Sequence, residues 1–488
     1  MNEFQKYLET TEEIGKITKV SNFILEVSGL PNLKLNEMII TESGEKGITF
    51  SLEKEKAKIL IFQEKVLKPG EWVARTGENF KIPVSENMLG RIVNPLLQPI
   101  DEMEPILGEK KYLEVYREAP GIVQRKRVKR PLDTGVAIVD FLIPLGYGQR
   151  ELVIGDTKTG KTTFLLQTMV SQAREGVICI YVGIGKETSA VKMVEEYLRE
   201  KNVFEKIIMI IAFGRDLPTL NYLAPFSGMT VGEYFRDRGK NVLIIFDDLT
   251  SHAKFYREIS LLAKRFPGRS SYPSDIFHVQ AALLERAGNI KNDYGEVSIT
   301  ALPVGETLEN DISGYIQTNL MAMTDGHIFF DNDEFKKGKR PAINAFLSVS
   351  RVGNQTKNQI EKELADLIRK SLIDYQKAST VAQFGVELSP KTKKALEVGK
   401  KIEILLDQDA ETLIPYSLRI FLFGLLFSGF FDGKPENLVK FEKGEIIKNY
   451  KKGNLIELEE IKKIQNFTEL KSFIEIIAPK IKELLRSF

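Results

Sequence analysis

The run that most constrains this chain is Gly155-Asp156-Thr157-Lys158-Thr159-Gly160-Lys161-Thr162-Thr163, with the apolar residues Leu152-Val153-Ile154 directly ahead of it. It reads G-x-x-x-x-G-K-T, and behind it Phe164-Leu165-Leu166, Met169-Val170 and Ala173 recur at helical spacing until Gly176. Strand, glycine-bounded loop and helix start together predict a phosphate cradle. In such a cradle the loop N–H groups face the α- and β-phosphates, Lys161 reaches the β/γ oxygens and the Thr162 hydroxyl takes Mg²⁺. Glycine lets the backbone approach the anion without a Cβ in the way, and the helix N-terminus adds its dipole. The residues therefore predict a nucleoside triphosphate or diphosphate site.

A second apolar run, Val242-Leu243-Ile244-Ile245-Phe246, ends in Asp247-Asp248. Near-continuous apolarity marks a strand buried on both faces, and ligands of parallel sheets sit beyond the strands' C-terminal ends. Asp247 is expected to hold the Mg²⁺ hydration shell opposite Thr162, and Asp248 to cap the helix that starts at Leu249. Hydrolysis needs a carboxylate to orient water as well. The strand Val177 to Val182 runs into Gly183-Ile184-Gly185-Lys186-Glu187, where the position after Gly185 is a lysine, which cannot act as that base. Glu187 is the adjacent carboxylate, and its bland reading is a solvated loop residue.

Around these motifs the chain divides by pattern. In residues 1–77, Phe23, Leu25 and Val27, then Ile48, Phe50 and Leu52, alternate with their neighbours, and turn signals such as Pro31-Asn32 and Pro69-Gly70 recur. That predicts a small antiparallel barrel. Residues 78–357 alternate strands and helices, as a parallel α/β sheet does. From 358 to 488 Ile360, Leu364, Leu367 and Leu372 share one helical face, and the tail reads the same way. The 488 residues are 43% hydrophobic and 28% charged, a globular composition. A net charge of +2 gives no electrostatic reason for a nucleic-acid partner. The single cysteine, Cys179, sits in an apolar run, and the three histidines lack metal-ligand spacing. Leu418 to Phe431 is too short to span a bilayer and includes Arg419. The expectation is a reducing space such as the cytosol.

From Glu13 on, these residues resemble the alpha subunit of F-type ATP synthases. The likeness is carried by Gly148-Gln149-Arg150-Glu151 before the loop, Gly232-Glu233-Tyr234-Phe235, Asp247-Asp248-Leu249, Pro267-Gly268-Arg269 and Leu283-Leu284-Glu285-Arg286-Ala287. Further on it is carried by Thr300-Ala301-Leu302-Pro303, Thr324-Asp325-Gly326, Arg340-Pro341-Ala342-Ile343-Asn344, Ser348-Val349-Ser350-Arg351-Val352-Gly353 and Ala382-Gln383-Phe384-Gly385. The resemblance implies a multidomain α+β fold: an N-terminal β-barrel, a central RecA-like P-loop α/β domain and a C-terminal helical bundle. It implies a chain that binds Mg-ATP or Mg-ADP without turning it over, in an alternating hexamer with catalytic beta subunits around a gamma-type shaft. A delta-type peripheral-stalk subunit is a further partner of the family, and the membrane is reached only through the complex, at the inner face of the cell membrane. Arg351 matches the finger that alpha subunits lend to a neighbouring beta site, and Phe335, Arg340 and Gln408 match positions at the adenine end of the chain's own pocket.

The sequence departs from the family at Thr157 and Lys158, which replace arginine and glutamine, and at Lys186, where alpha subunits carry glutamine. It departs also at Gln317 for proline, at Ala410 for a second adenine-contacting glutamine, and in the dozen residues ahead of Glu13, fewer than the family's usual stalk-binding helix. Alternatives that the residues leave open are an alpha-like subunit of a repurposed rotary ATPase without an ordinary proton channel, and a catalytic homohexameric export-type ATPase using Glu187. A Rho-like nucleic-acid translocase and a structural ring member without nucleotide are further rivals. Neutral charge argues against the first of these two and intact Lys161, Thr162 and Asp247 against the second.

Overall fold

The computed structural model describes residues 3–63, 66–383 and 388–486. A short helix, α1 (Glu3–Thr11), leads into six strands: β1 (Ile14–Ser21), β2 (Ile24–Ser28), β3 (Glu37–Thr41), β4 (Lys46–Leu52), β5 (Lys56–Ile61) and β6 (Trp72–Asn79). They close into an antiparallel barrel in the order β1-β2-β5-β4-β3-β6, with β1 returning to pair with β6. Closure removes every free sheet edge, which suits strands this short. Helix α1, which no alternation in the sequence announces, seats Phe4 on Ile40 and Ala74 of the barrel wall.

Along β4 the expected alternation holds only in part. Ile48 is buried, but Leu52 is exposed and Phe50 is half-buried. A register shift between Thr49 and Ser51 re-aims the strand. Phe50 instead meets the Tyr256 ring edge-on at 6.1 Å and carries the Arg265 guanidinium over its face, so this side of the barrel packs on the next domain.

The second domain is built on a nine-stranded sheet. Its strands are β7 (Arg91–Val93), β8 (Glu151–Gly155), β9 (Ile178–Lys186), β10 (Ile207–Phe213), β11 (Val242–Asp247), β12 (Gly288–Asn292), β13 (Gly295–Glu306), β14 (Gly326–Phe330) and β15 (Val349–Ser350). The order is β15-β14-β8-β13-β11-β9-β10-β7, with β12 antiparallel to β13 and β15 antiparallel to β14. The interior strands are parallel and buried along nearly their whole length, as the apolar runs require. Helices α2 (Lys161–Arg174), α3 (Thr188–Glu200), α4 (Pro218–Arg236) and α5 (Leu249–Leu262) cover the sheet. Where α4 crosses β9 and β11, Gly228 and Gly232 admit the Val182 and Ile244 side chains; a Cβ there would stand 2.4 and 2.5 Å from them. Cys179 is fully buried under α2.

The third domain is helical: α6 (Gln359–Gln383), α7 (Pro390–Leu406), α8 (Tyr416–Phe427), α9 (Glu436–Lys451) and α10 (Phe467–Arg486). Phe384 and Gly385 lie outside the described residues. The greasiest stretch of the sequence is α8, the buried centre of this bundle, with Leu418, Ile420, Phe421 and Leu425 all sealed. Arg419 projects from it toward the nucleotide-binding domain and collects Asp140 at 2.7 Å, Asp133 at 2.9 Å and Glu361 at 3.4 Å. Among the described residues no helix is long and apolar enough to cross a membrane.

Candidate nucleotide site

The loop from Gly155 to Gly160 lies between the C-terminal end of β8 and the first turn of α2, the strand-loop-helix order that the sequence predicts. A Cβ on Gly155 would stand 2.3 Å from the Phe330 carbonyl oxygen on β14, so the strand can leave the sheet there only as glycine. Gly160 has φ of 102° and stands at the N-cap of α2, a left-handed conformation that glycine takes without strain. Thr157, Lys158 and Thr163 are exposed, Thr162 is half-buried, and Lys161 is buried. The Lys161 ammonium donates to the Asp156 carbonyl at 2.6 Å and the Gly155 carbonyl at 2.7 Å. Burial pulls its pKa down against the opposing fields of Glu306, Asp247, Asp248 and Asp156.

Asp156 braces the loop. Its carboxylate accepts the Thr307 hydroxyl at 2.5 Å and the Asn310 N–H at 3.1 Å, tying the cradle to the segment after β13. Thr159 closes the turn by donating to the Asp156 carbonyl. Neither Glu306, at the end of β13, nor the Thr307–Asn310 brace carries a sequence motif. Only the sheet order, which sets β13 between β8 and β11, brings them here.

The wall opposite Thr162 is where sequence and structure part. The sequence reading ends the strand at Val182 and places Lys186 in a loop; β9 in fact continues through Lys186. Its register against β10 slips between Ile184 and Lys186, and Gly185 takes φ of 66°. A regular strand would put Lys186 on the face opposite Tyr181 and Gly183. The bulge adds one residue and returns it to their face. Gly183, paired in register with Asp247, has no side chain, and a Cβ there would sit 3.2 Å from the Lys186 side chain and 3.4 Å from the Tyr181 ring. Tyr181 and Lys186 therefore close on Asp247 from two sides: the hydroxyl donates to one carboxylate oxygen at 2.6 Å, the ammonium to the other at 2.7 Å. Burial works to lower the Lys186 pKa, but Asp247 and Asp248 outweigh it and hold the ammonium above the ordinary lysine range.

Asp248 caps α5, accepting the Ser251 N–H at 2.5 Å. Burial first, then Glu306 and Asp247, push its carboxyl up to about 6 against the opposing pull of Lys186. Glu187 is exposed in extended backbone at the head of α3 and makes no cap bond. As hard oxygen donors the Thr162 hydroxyl and the Asp247 carboxylate suit Mg²⁺, so the residues present fit that ion.

The three residues assigned to the adenine end take different roles in the structure. The Arg340 guanidinium lies 3.8 Å over the Phe335 ring and donates to the Phe335 carbonyl, a stacked pair with its cationic side exposed. Gln408 is buried and its amide is committed to backbone: it accepts from Ala137 N–H and donates to the Gly135 and Thr412 carbonyls. Ala410, where a glutamine is usual, offers its carbonyl to the Tyr197 hydroxyl.

Arg351 is elsewhere. It follows the edge strand β15, and its N–H donates to the Asp325 carbonyl just before β14. In register Ser350 faces Gly326, which faces Glu151 at the start of β8. Arg351 is thus past the N-terminal end of β8, roughly 15 Å along the strand direction from the cradle at about 3.3 Å per residue. Its side chain is exposed and, among the described residues, makes no hydrogen bond or ion pair. The Glu151 carboxyl is pushed well above the usual range by burial, opposed by the Gln149 amide that donates to it and, more weakly, by Arg351, with Asp325 adding to the rise.

Residues 135–350 match the ATP synthase alpha/beta family, nucleotide-binding domain, and residues 355–481 match the ATP synthase alpha/beta chain, C terminal domain. The chain is 40% identical over 481 residues to ATP synthase subunit alpha of Aquifex aeolicus, covering 98% of this chain and 94% of that protein. It is 42% identical over 428 residues to ATP synthase subunit alpha of Dictyoglomus turgidum, covering 88% and 84%. Barrel, parallel-sheet domain with its cradle and helical domain follow one another as these matches require, and the chain belongs to the ATP synthase alpha/beta family, among its F-type alpha subunits.

Proposed function

We propose that this chain binds Mg-ATP or Mg-ADP without hydrolysing it and alternates in a hexameric ring with beta-type catalytic chains, to whose nucleotide it lends Arg351. The observation that carries the reading is Lys186. A cation, bonded to Asp247 at 2.7 Å, holds the position where hydrolysis needs a carboxylate. When bound, Mg²⁺ supplies charge neutralisation at the phosphates, with Thr162 and, through water, Asp247 as its protein contacts. Lys161 and the loop from Gly155 to Thr163, Thr157 and Lys158 included, hold the phosphates. Phe335 and Arg340 offer a stacked surface at the base end, and Gln408 acts there by fixing backbone.

Arg351 supports the ring reading by its position. A free, exposed guanidinium beyond the far end of β8 cannot serve its own cradle but suits the γ-phosphoryl of an adjoining chain. A gamma-type shaft and a delta-type stalk subunit complete the assembly, which sits in the cytoplasm against the inner face of the cell membrane. A catalytic homohexamer would rely on Glu187, which is exposed and precedes α3 without capping it.

Two measurements test this. The isolated chain should retain nucleotide with negligible turnover, and steady turnover abolished by Glu187→Gln would overturn the non-catalytic assignment. Native mass of the purified complex should show two kinds of nucleotide-binding chain, and a stable homohexamer would contradict the ring.

A further inference from the structure

Lys186 does more than leave a base out. The phosphate-facing corner of this site gathers Asp247, Asp248 and Glu306 on the ends of β11 and β13, and every one of them repels a nucleotide's phosphates. Lys161 is the cation the cradle provides. The bulge at Gly185 aims a second one, Lys186, at the same corner from β9, and the bare Cα of Gly183 leaves it room. Its ammonium is 2.7 Å from the carboxylate that would otherwise face the metal's water shell, and Tyr181 holds the other oxygen of that carboxylate at 2.6 Å.

Resting on the nucleotide reading above, we infer that Lys186 is a built-in counter-cation, so that this site accepts a nucleoside di- or triphosphate free of divalent metal. Asp247 is already neutralised before any ligand arrives. The phosphates then meet Lys161 beside a corner in which Lys186 already offsets the Asp247 charge, and Mg²⁺ strengthens binding without being required for it. A neutral side chain at this position would leave Asp247 charged toward the phosphates until a metal covered it.

The experiment measures ADP and ATP affinity of the intact chain by calorimetry, in Mg²⁺ and again in excess chelator. Wild type should lose less than about tenfold on chelation. Lys186→Gln should lose about a hundredfold, the scale of one charge-assisted contact, while Lys186→Arg should stay close to wild type. Asp247→Asn, which frees Lys186, should bind metal-free nucleotide at least as tightly as wild type, and it keeps the test open if Lys186→Gln fails to fold. Equal loss on chelation in wild type and Lys186→Gln, or weaker metal-free binding by Asp247→Asn, would overturn the inference and leave the nucleotide reading intact. No binding by wild type even with Mg²⁺ would overturn both.

Discussion

Arg351 and Lys161 stand at opposite ends of one sheet. Lys161 opens α2 beyond the C-terminal end of β8, whereas Arg351 follows β15 level with residues that precede β8. One chain therefore presents a phosphate cradle at one end of its strands and an unpaired guanidinium at the other. In the ring proposed above, these two ends would serve two different nucleotides.

Replacing Arg351 with alanine in a reconstituted alternating ring should cut ATP hydrolysis by about 10³-fold or more, the scale of an arginine finger. Nucleotide affinity of this chain should stay within about twofold, because the side chain touches nothing in its own site. Lysine should restore little, since a point charge cannot reproduce the two-pronged contact. Steady-state turnover within a few-fold of wild type would return Arg351 to a surface role.

Lys161→Ala should do the reverse. Its own nucleotide affinity should fall by about 10- to 150-fold, the equivalent of about 1.5–3 kcal/mol for a charge-assisted bond, read by calorimetry on the isolated chain. Ring turnover should change less than with Arg351→Ala.

His252 predicts an acid-sensitive fold. It is fully buried on α5, stacked at 5.5 Å on Tyr222 and bonded to the Tyr222 carbonyl, and burial pushes its pKa down to about 4. The unfolded chain, with an ordinary histidine near 6.5, binds the proton more readily between those values. This contribution is complete above about pH 6.5 and is lost as pH falls toward 4, by about 3 kcal/mol in all. Urea midpoints taken from pH 7 to pH 4.5 should fall less steeply in His252→Phe than in wild type. Parallel profiles would place the acid sensitivity elsewhere.

Arg419→Leu should destabilise the contact between the helical and nucleotide-binding domains by about 3–5 kcal/mol. The half-buried Asp133 and buried Asp140 carboxyls would lose the guanidinium that offsets their burial and be left with the Gly135 and Thr134 donors. Adding Asp140→Asn should recover part of the loss. Thermal unfolding of the single and double variants measures both.

What the sequence determined is local. Gly155 through Thr163 between an apolar strand and a helical period is enough to predict a glycine-bounded turn into a helix, and the apolar run into Asp247 is enough to predict a strand buried on both faces. Alternation and turn residues gave the barrel, and helical spacing the last domain. The same local logic identified Lys186 as the wrong residue for a base. It could not say what Lys186 does, because a one-residue bulge at Gly185 reverses the face on which the side chain lies, and periodicity read along one strand carries no information about register with its neighbour. The pairing with Asp247, the presence of Glu306 at the same corner, the commitment of the Gln408 amide to backbone and the distance between Arg351 and the cradle all follow from strand order and long-range register. Those are set by packing between segments far apart in the chain, so only the tertiary structure decided them.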